Sequence, residues 1–164
     1  MKKILIALDY NPSAQKVAET GYALAKATNA KTILLHVISD VTYYSSINYS
    51  PIMGFGGFSS GDTVQTDTIE EIEKAAQTYL DKSKQHLGDE GIQTVVRNGD
   101  YGETILKAAE ELHVDIIVMG SNSRRGLQKI LVGSVAEKVL QDSLIPVFII
   151  PTKAIEEKQE RFNR

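Results

Sequence analysis

The sequence predicts an α/β fold, a doubly wound five-stranded parallel sheet flanked by four helices and Rossmann-like in plan. Three observations carry this. Apolar runs of strand length recur along the chain, several with no polar alternation, as strands covered on both faces require. Segments of helical period separate them. Most junctions carry a turn or cap residue, so strands and helices alternate throughout.

The first strand is Ile4 to Leu8, ended by Asp9. Asn11-Pro12 follows, with Asn as a candidate helix cap and Pro at the first helical position, where its missing N–H costs nothing. Ala14, Val17, Ala18, Gly21 and Ala25 then mark one helical face. Thr32 to Ile38 is a second buried strand. A Ser-, Gly- and Tyr-rich loop is expected at about 39–66, long enough to suggest a functional or disordered segment. A helix follows from about Asp67 to Leu87, opened by a capping box of Thr68 and Glu71 and closed by Gly88. Ile92 to Val96 alternates and suits an edge strand. Asp100 and Glu103 open a helix to about His113. Val114 to Met119 is a buried strand running into Gly120, Ser134 opens a helix to about Asp142, and Val147 to Ile150 is a last strand between Pro146 and Pro151. A single domain over 1–152 is expected, with a charged tail at 153–164.

Composition narrows the function. The chain has 164 residues, 42% of them hydrophobic, and a net charge of −3. No broad positive field favours a nucleic-acid backbone. The absence of cysteine removes disulfides and thiolate chemistry and fits a reducing, cytoplasmic setting. The apolar run after Met1 stops at Asp9, too short for a signal peptide, and no stretch reaches the length of a membrane span.

Ligands of doubly wound sheets sit beyond the strand carboxyl ends, where strand order reverses. The two strongest internal strands end at Asp9 and Gly120. After Gly120 comes a polar loop with Arg124 and Arg125, then Gly133-Ser134 at a helix start. Gly120 permits a sharp turn and a close ligand approach. Gly133 and Ser134 are expected to expose unpaired N–H groups, a natural anion site, and Ser134 with Glu137 has capping-box spacing. A capped helix after a long loop explains the same residues. The Walker loop and the dinucleotide fingerprint are both absent.

The segment resembles the nucleotide motif of the universal stress protein family: Gly, two residues, Gly, nine residues, Gly, then Ser or Thr. Gly120 and Gly133-Ser134 keep the spacing, and Ser123 replaces the second glycine. The flanking Val118-Met119-Gly120-Ser121 and Leu131-Val132-Gly133-Ser134-Val135-Ala136-Glu137 match too. So do the opening Ile4 to Asp9 and the closing Ile145 to Pro151, so the resemblance spans Lys2 to Pro151. It implies a sheet like that of the adenine nucleotide alpha hydrolases and an ATP-binding stress-response module. Asp9 would read the adenine edge, with Ala7 and Leu8 lining it. Val37 would touch the base, Met119 and Gly120 the ribose, and Ser123, Gly133, Ser134 and Val135 the phosphates. Arg124 and Arg125 either reach the phosphates or face water. Where the lost glycine needs positive φ, Ser123 costs on the order of 1 kcal/mol, which weakens binding without abolishing it. Mg2+ could arrive with the phosphates. No nucleophile stands beside a base, so at most slow ATP hydrolysis or autophosphorylation is expected. The competing reading is a dimeric interaction protein that binds no nucleotide.

Of the other candidates, His36, His86 and His113 lack metal-like spacing, and His36 reads as a core or near-site histidine. The last strand, Val147 to Ile150, suits a homodimer edge, as the family resemblance also implies. Further protein partners, no nucleic acid and no membrane complete the expectation.

Overall fold

The computed structural model describes residues 1–39, 68–121 and 132–152. The expected loop at 39–66 and the tail at 153–164 lie, apart from Ser39, outside the described residues. The elements are β1 Lys3–Ala7, α1 Ala14–Ala27, β2 Lys31–Ile38, α2 Ile69–Leu87, β3 Gln93–Asn98, α3 Tyr101–Glu111, β4 Ile116–Gly120, α4 Ser134–Asp142 and β5 Val147–Ile150. They form one parallel sheet in the order β3-β2-β1-β4-β5. The order reverses at β1, so the crevice expected of such a sheet opens between the tips of β1 and β4.

Burial on both faces explains the apolar runs. Ile4, Ile6, Leu8, Leu34 and Val118 pack towards α1 and α2, with Val17, Ala18, Tyr79 and Leu80. Leu5, Ile33, Leu35, Val37, Ile117 and Met119 pack towards α3 and α4, with Ile105, Ala108, Ala136 and Val139. A buried aliphatic side chain of this size contributes about 1.5–3 kcal/mol, so β1 alone anchors both layers. The anticipated face of α1 is buried throughout. Gly21 is needed there: a Cβ would stand 2.8 Å from Ile6 Cδ1 and 3.1 Å from Val118 Cγ1.

The caps were partly legible. Thr68 and Glu71 form the full reciprocal box, and Gly88 ends α2 in the left-handed region at φ 70°. The Asp100 carboxylate accepts from Glu103 N–H and opens α3. The start of α1 differs from expectation. Ser13, not Asn11, is the cap residue, and Ala14 is the first helical residue. Asn11 Oδ1 instead accepts from both the N–H and the hydroxyl of Ser13, which makes Asn11-Pro12 a turn ahead of the helix. β4 also begins later than its apolar run. Val114 is buried, yet its N–H closes the turn after α3 by donating to Ala109 O.

Outside the core, α1 and α2 are tied by His86 Nε2 and Glu19 Oε1 at 2.7 Å. The His86 hydrogen bond, then that of Gln15, holds the Glu19 carboxyl below its ordinary value. A carboxylate with a lowered folded pKa adds stability above its unfolded pKa and loses it as pH falls through the folded one. Both partners are largely exposed, so screening limits the pair to about 1 kcal/mol or less. His86→Ala is therefore expected to lower stability by no more than that at neutral pH in urea titrations. The difference from the parent should close as pH falls through the lowered Glu19 value, below which the carboxyl is protonated in both states. A difference that stays constant down to pH 2.5 would refute this account.

Candidate functional site

Parallel pairing fixes where the functional residues meet. β1 and β4 pair through Ile6 and Val118. One step further, Ala7 ends β1 and Met119 stands one residue before the end of β4. Leu8 N–H still donates to Leu35 O, which keeps the β1 tip against β2. Val37 lies two residues beyond Leu35, the partner of Ala7. Ala7, Val37, Met119 and Val135 all abut the apolar cluster of the α3 and α4 layer, with Val132 and Tyr101 at its margin. Four of the anticipated contact residues thus share one side of the sheet. Leu8 does not: its side chain is in the α1 and α2 cluster, and only its backbone borders the tip.

Asp9 is half-buried just beyond β1. Its Oδ1 accepts from Asn11 N–H at 3.0 Å, which fixes the carboxylate in a tight turn. Behind the tip lie three rings. Tyr10 stands 4.0 Å from His36 and 4.8 Å from Tyr79, centroid to centroid. His36 Nδ1 is 2.8 Å from Leu8 O, and the Tyr79 hydroxyl donates to Asp9 O at 2.7 Å. A carbonyl can only accept, so Nδ1 carries the proton. Burial first, then the charge of Asp9 and the neighbouring Tyr10, push the Tyr79 hydroxyl well above its ordinary value and keep it a donor. Sequence reasoning gave Tyr79 to the inner face of its helix and went no further. The available signal was a polar-tipped ring on an apolar face, which needs a partner once buried.

The β4 side differs from expectation in two respects, both at the start of α4. Gly120 itself does not adopt positive φ. A Cβ there would stand 3.1 Å from both Val17 Cγ2 and Thr152 Cγ2, so close packing against α1 and the chain after β5 accounts for the glycine. Gly133 N–H is paired, donating to Ser121 O at 2.9 Å, and this bond ties the start of α4 to the β4 tip. Finally, Gly133 is the cap residue of α4 and Ser134 its first helical residue, with no side-chain cap bond. The Ser134 and Glu137 box is therefore not formed. Helix geometry then leaves the N–H groups of Ser134, Val135 and Ala136 without intrahelical partners, while Glu137 N–H bonds Gly133 O. Such a helix start suits an anion. Ser121 is buried and secured in turn: its N–H donates to Ile150 O, and its hydroxyl accepts from Thr152 N–H at 3.1 Å. Ser123, Arg124 and Arg125 lie outside the described residues.

Among the described residues, no group of three or more His, Asp or Glu side chains gathers as a metal site, and no helix is long and apolar enough to cross a membrane.

Comparison with known proteins agrees with this fold. The model of the universal stress protein family matches residues 1–151. Universal stress protein MJ0577 of Methanocaldococcus jannaschii is 30% identical over 93% of this chain and 96% of its own. Universal stress protein YxiE of Bacillus subtilis is 30% identical over 90% of this chain and 97% of its own. The solved structure of MJ0577 superposes with a TM-score of 0.69 at 28% identity, covering 93% of this chain and 96% of that one. A universal stress protein crystallised in complex with cAMP shares the fold, with a TM-score of 0.57 at 18% identity over 91% of this chain and 95% of its own. With the five-stranded parallel sheet, its four helices and a family match over nearly the whole length, the chain belongs to the universal stress protein family.

Proposed function

We propose that this protein binds ATP in the crevice between the β1 and β4 tips and acts as a nucleotide-dependent stress-response module. The carrying observation is the start of α4, which has no side-chain cap and is fastened by Gly133 N–H to the β4 tip. The N–H groups of Ser134, Val135 and Ala136 would donate to phosphate oxygens, helped by the helix dipole. The Glu137 carboxylate, exposed in the same turn, opposes this, and solvent screening weakens its effect. Asp9 would accept from the adenine 6-amino group, and Ala7, Val37 and Met119 would offer apolar contact. Ser123, Arg124 and Mg2+ would act at the phosphate end. The cAMP complex of a family member is consistent with an adenine ligand.

A second reading has its own support in Ser123, where the family motif has glycine: a dimeric interaction protein without nucleotide. Dimerisation itself is compatible with both. β5 is an edge strand, and Leu144, Phe148 and Leu140 are exposed beside it at 97%, 45% and 46%. A second copy pairing along Val147–Ile150 would cover them and remove an open sheet edge. The setting proposed is the cytoplasm.

Calorimetry and native mass spectrometry test the nucleotide. Wild-type protein is expected to take up ATP or ADP at millimolar concentration. Gly133→Val, which puts a branched side chain where phosphate would lie, is expected to abolish uptake while leaving the circular dichroism spectrum intact. Ser123→Gly is expected to tighten binding several-fold. No heat and no retained nucleotide in the wild type would overturn the reading in favour of the nucleotide-free dimer. For the dimer, sedimentation should give twice the 18.0 kDa chain mass. Phe148→Glu should shift it to one copy, and a wild-type monomer at 100 μM would refute the proposal.

A further inference from the structure

We infer that Tyr79 and His36 are positioning residues for base recognition: buried on the opposite side of the sheet from the nucleotide crevice, they set the aim of Asp9. This rests on the proposal that Asp9 reads the base. The argument comes from consecutive peptide planes. Leu8 O belongs to the peptide on the N-terminal side of the Asp9 α-carbon, and Asp9 O to the peptide on its C-terminal side. His36 Nδ1 holds the first at 2.8 Å, and the Tyr79 hydroxyl holds the second at 2.7 Å. With both planes held, φ and ψ of Asp9 are fixed, and so is the direction of its Cα–Cβ bond. The bond from Asn11 N–H to Oδ1 then fixes the carboxylate about that direction.

The two donors come from rigid, buried places. His36 is 1% exposed on β2, between β3 and β1, and Tyr79 is 1% exposed on α2. The Tyr10 ring packs against both. The ladder does not supply these bonds, because β1 ends at Ala7. Without them the segment beyond the strand would be an ordinary surface turn. A carboxylate only accepts hydrogen bonds at neutral pH, so a rigid Asp9 favours the 6-amino group of adenine and opposes the 6-oxo group of guanine. A loosely held Asp9 would lose that discrimination first, since it depends on aim more than on contact area.

Tyr79→Phe deletes the hydroxyl and keeps the ring. Ser83→Ala is the control: Ser83 lies one turn along α2, is fully buried and donates its hydroxyl to Tyr79 O at 2.8 Å, but does not touch Asp9. Dissociation constants for ATP and GTP would be measured by calorimetry on the full chain in all three proteins. Losing one aiming hydrogen bond should weaken ATP by about five-fold in Tyr79→Phe. GTP should change little, so the preference for ATP falls by about the same factor. Ser83→Ala should lower the melting temperature and leave the preference at its wild-type value. A wild-type preference retained in Tyr79→Phe would overturn the positioning role alone. An equal loss in Ser83→Ala would also overturn it, by showing that stability governs the ratio. A wild type that binds ATP and GTP equally would overturn the adenine reading of Asp9 and this inference together, and a wild type that binds neither would overturn the ATP site as well.

Discussion

The central position of β1 is the constraint on which the rest depends. It is hydrogen-bonded to β2 on one side and β4 on the other, and Ile4, Leu5 and Ile6 are sealed from water on both faces. A strand held in this way cannot shift register without moving every side chain to the wrong layer. Its tip is therefore a fixed point, and the polar residues that follow it inherit that precision. The chain turns polar at Asp9 because the sheet ends there and backbone groups beyond it need new partners. They find them in His36, Tyr79 and Leu35.

The β4 tip is fixed by different means. It has β5 on its outer side, and Ser121 knits the two strand ends together through Ile150 O and Thr152 N–H. Gly120 lets α1 and the chain after β5 approach within van der Waals contact. Ser121 O then holds Gly133, so a helix start is delivered to the same place. An acidic tip and a helix start, both on rigid supports, would suit the two ends of the anion-tailed ligand proposed above.

Much of the fold was legible because the signals were local. Apolar runs gave the strands, the spacing of Ala14, Val17, Ala18, Gly21 and Ala25 gave α1, and Thr68 with Glu71 gave a cap that formed as expected. Errors arose where one signal served two purposes. Val114 is apolar because it is buried, but burial does not require strand pairing, and its N–H belongs to a helix end. Asn11 has the chemistry of a cap, yet its side chain satisfies Ser13 one step before the helix. Ser134 with Glu137 has the spacing of a box, but Gly133 takes the cap position and shifts the register by one. Of the candidate site, the strand tips and the helix start were readable. The burial of Leu8 on the far side and the packing role of Gly120 were not, because each depends on what lies across the sheet.

By itself the sequence determined the alternation of strands and helices, and it placed acidic and glycine-ended tips on two of the strands. Those features follow from hydrophobic period and turn chemistry, which act between near neighbours along the chain. Only the tertiary structure decided that Tyr79 grips the carbonyl of a residue 70 positions away, that His36 grips the one before it, and that Gly133 spends its N–H on Ser121. A buried donor takes whichever acceptor the packed elements bring within reach, and no pattern of spacing records which one that will be.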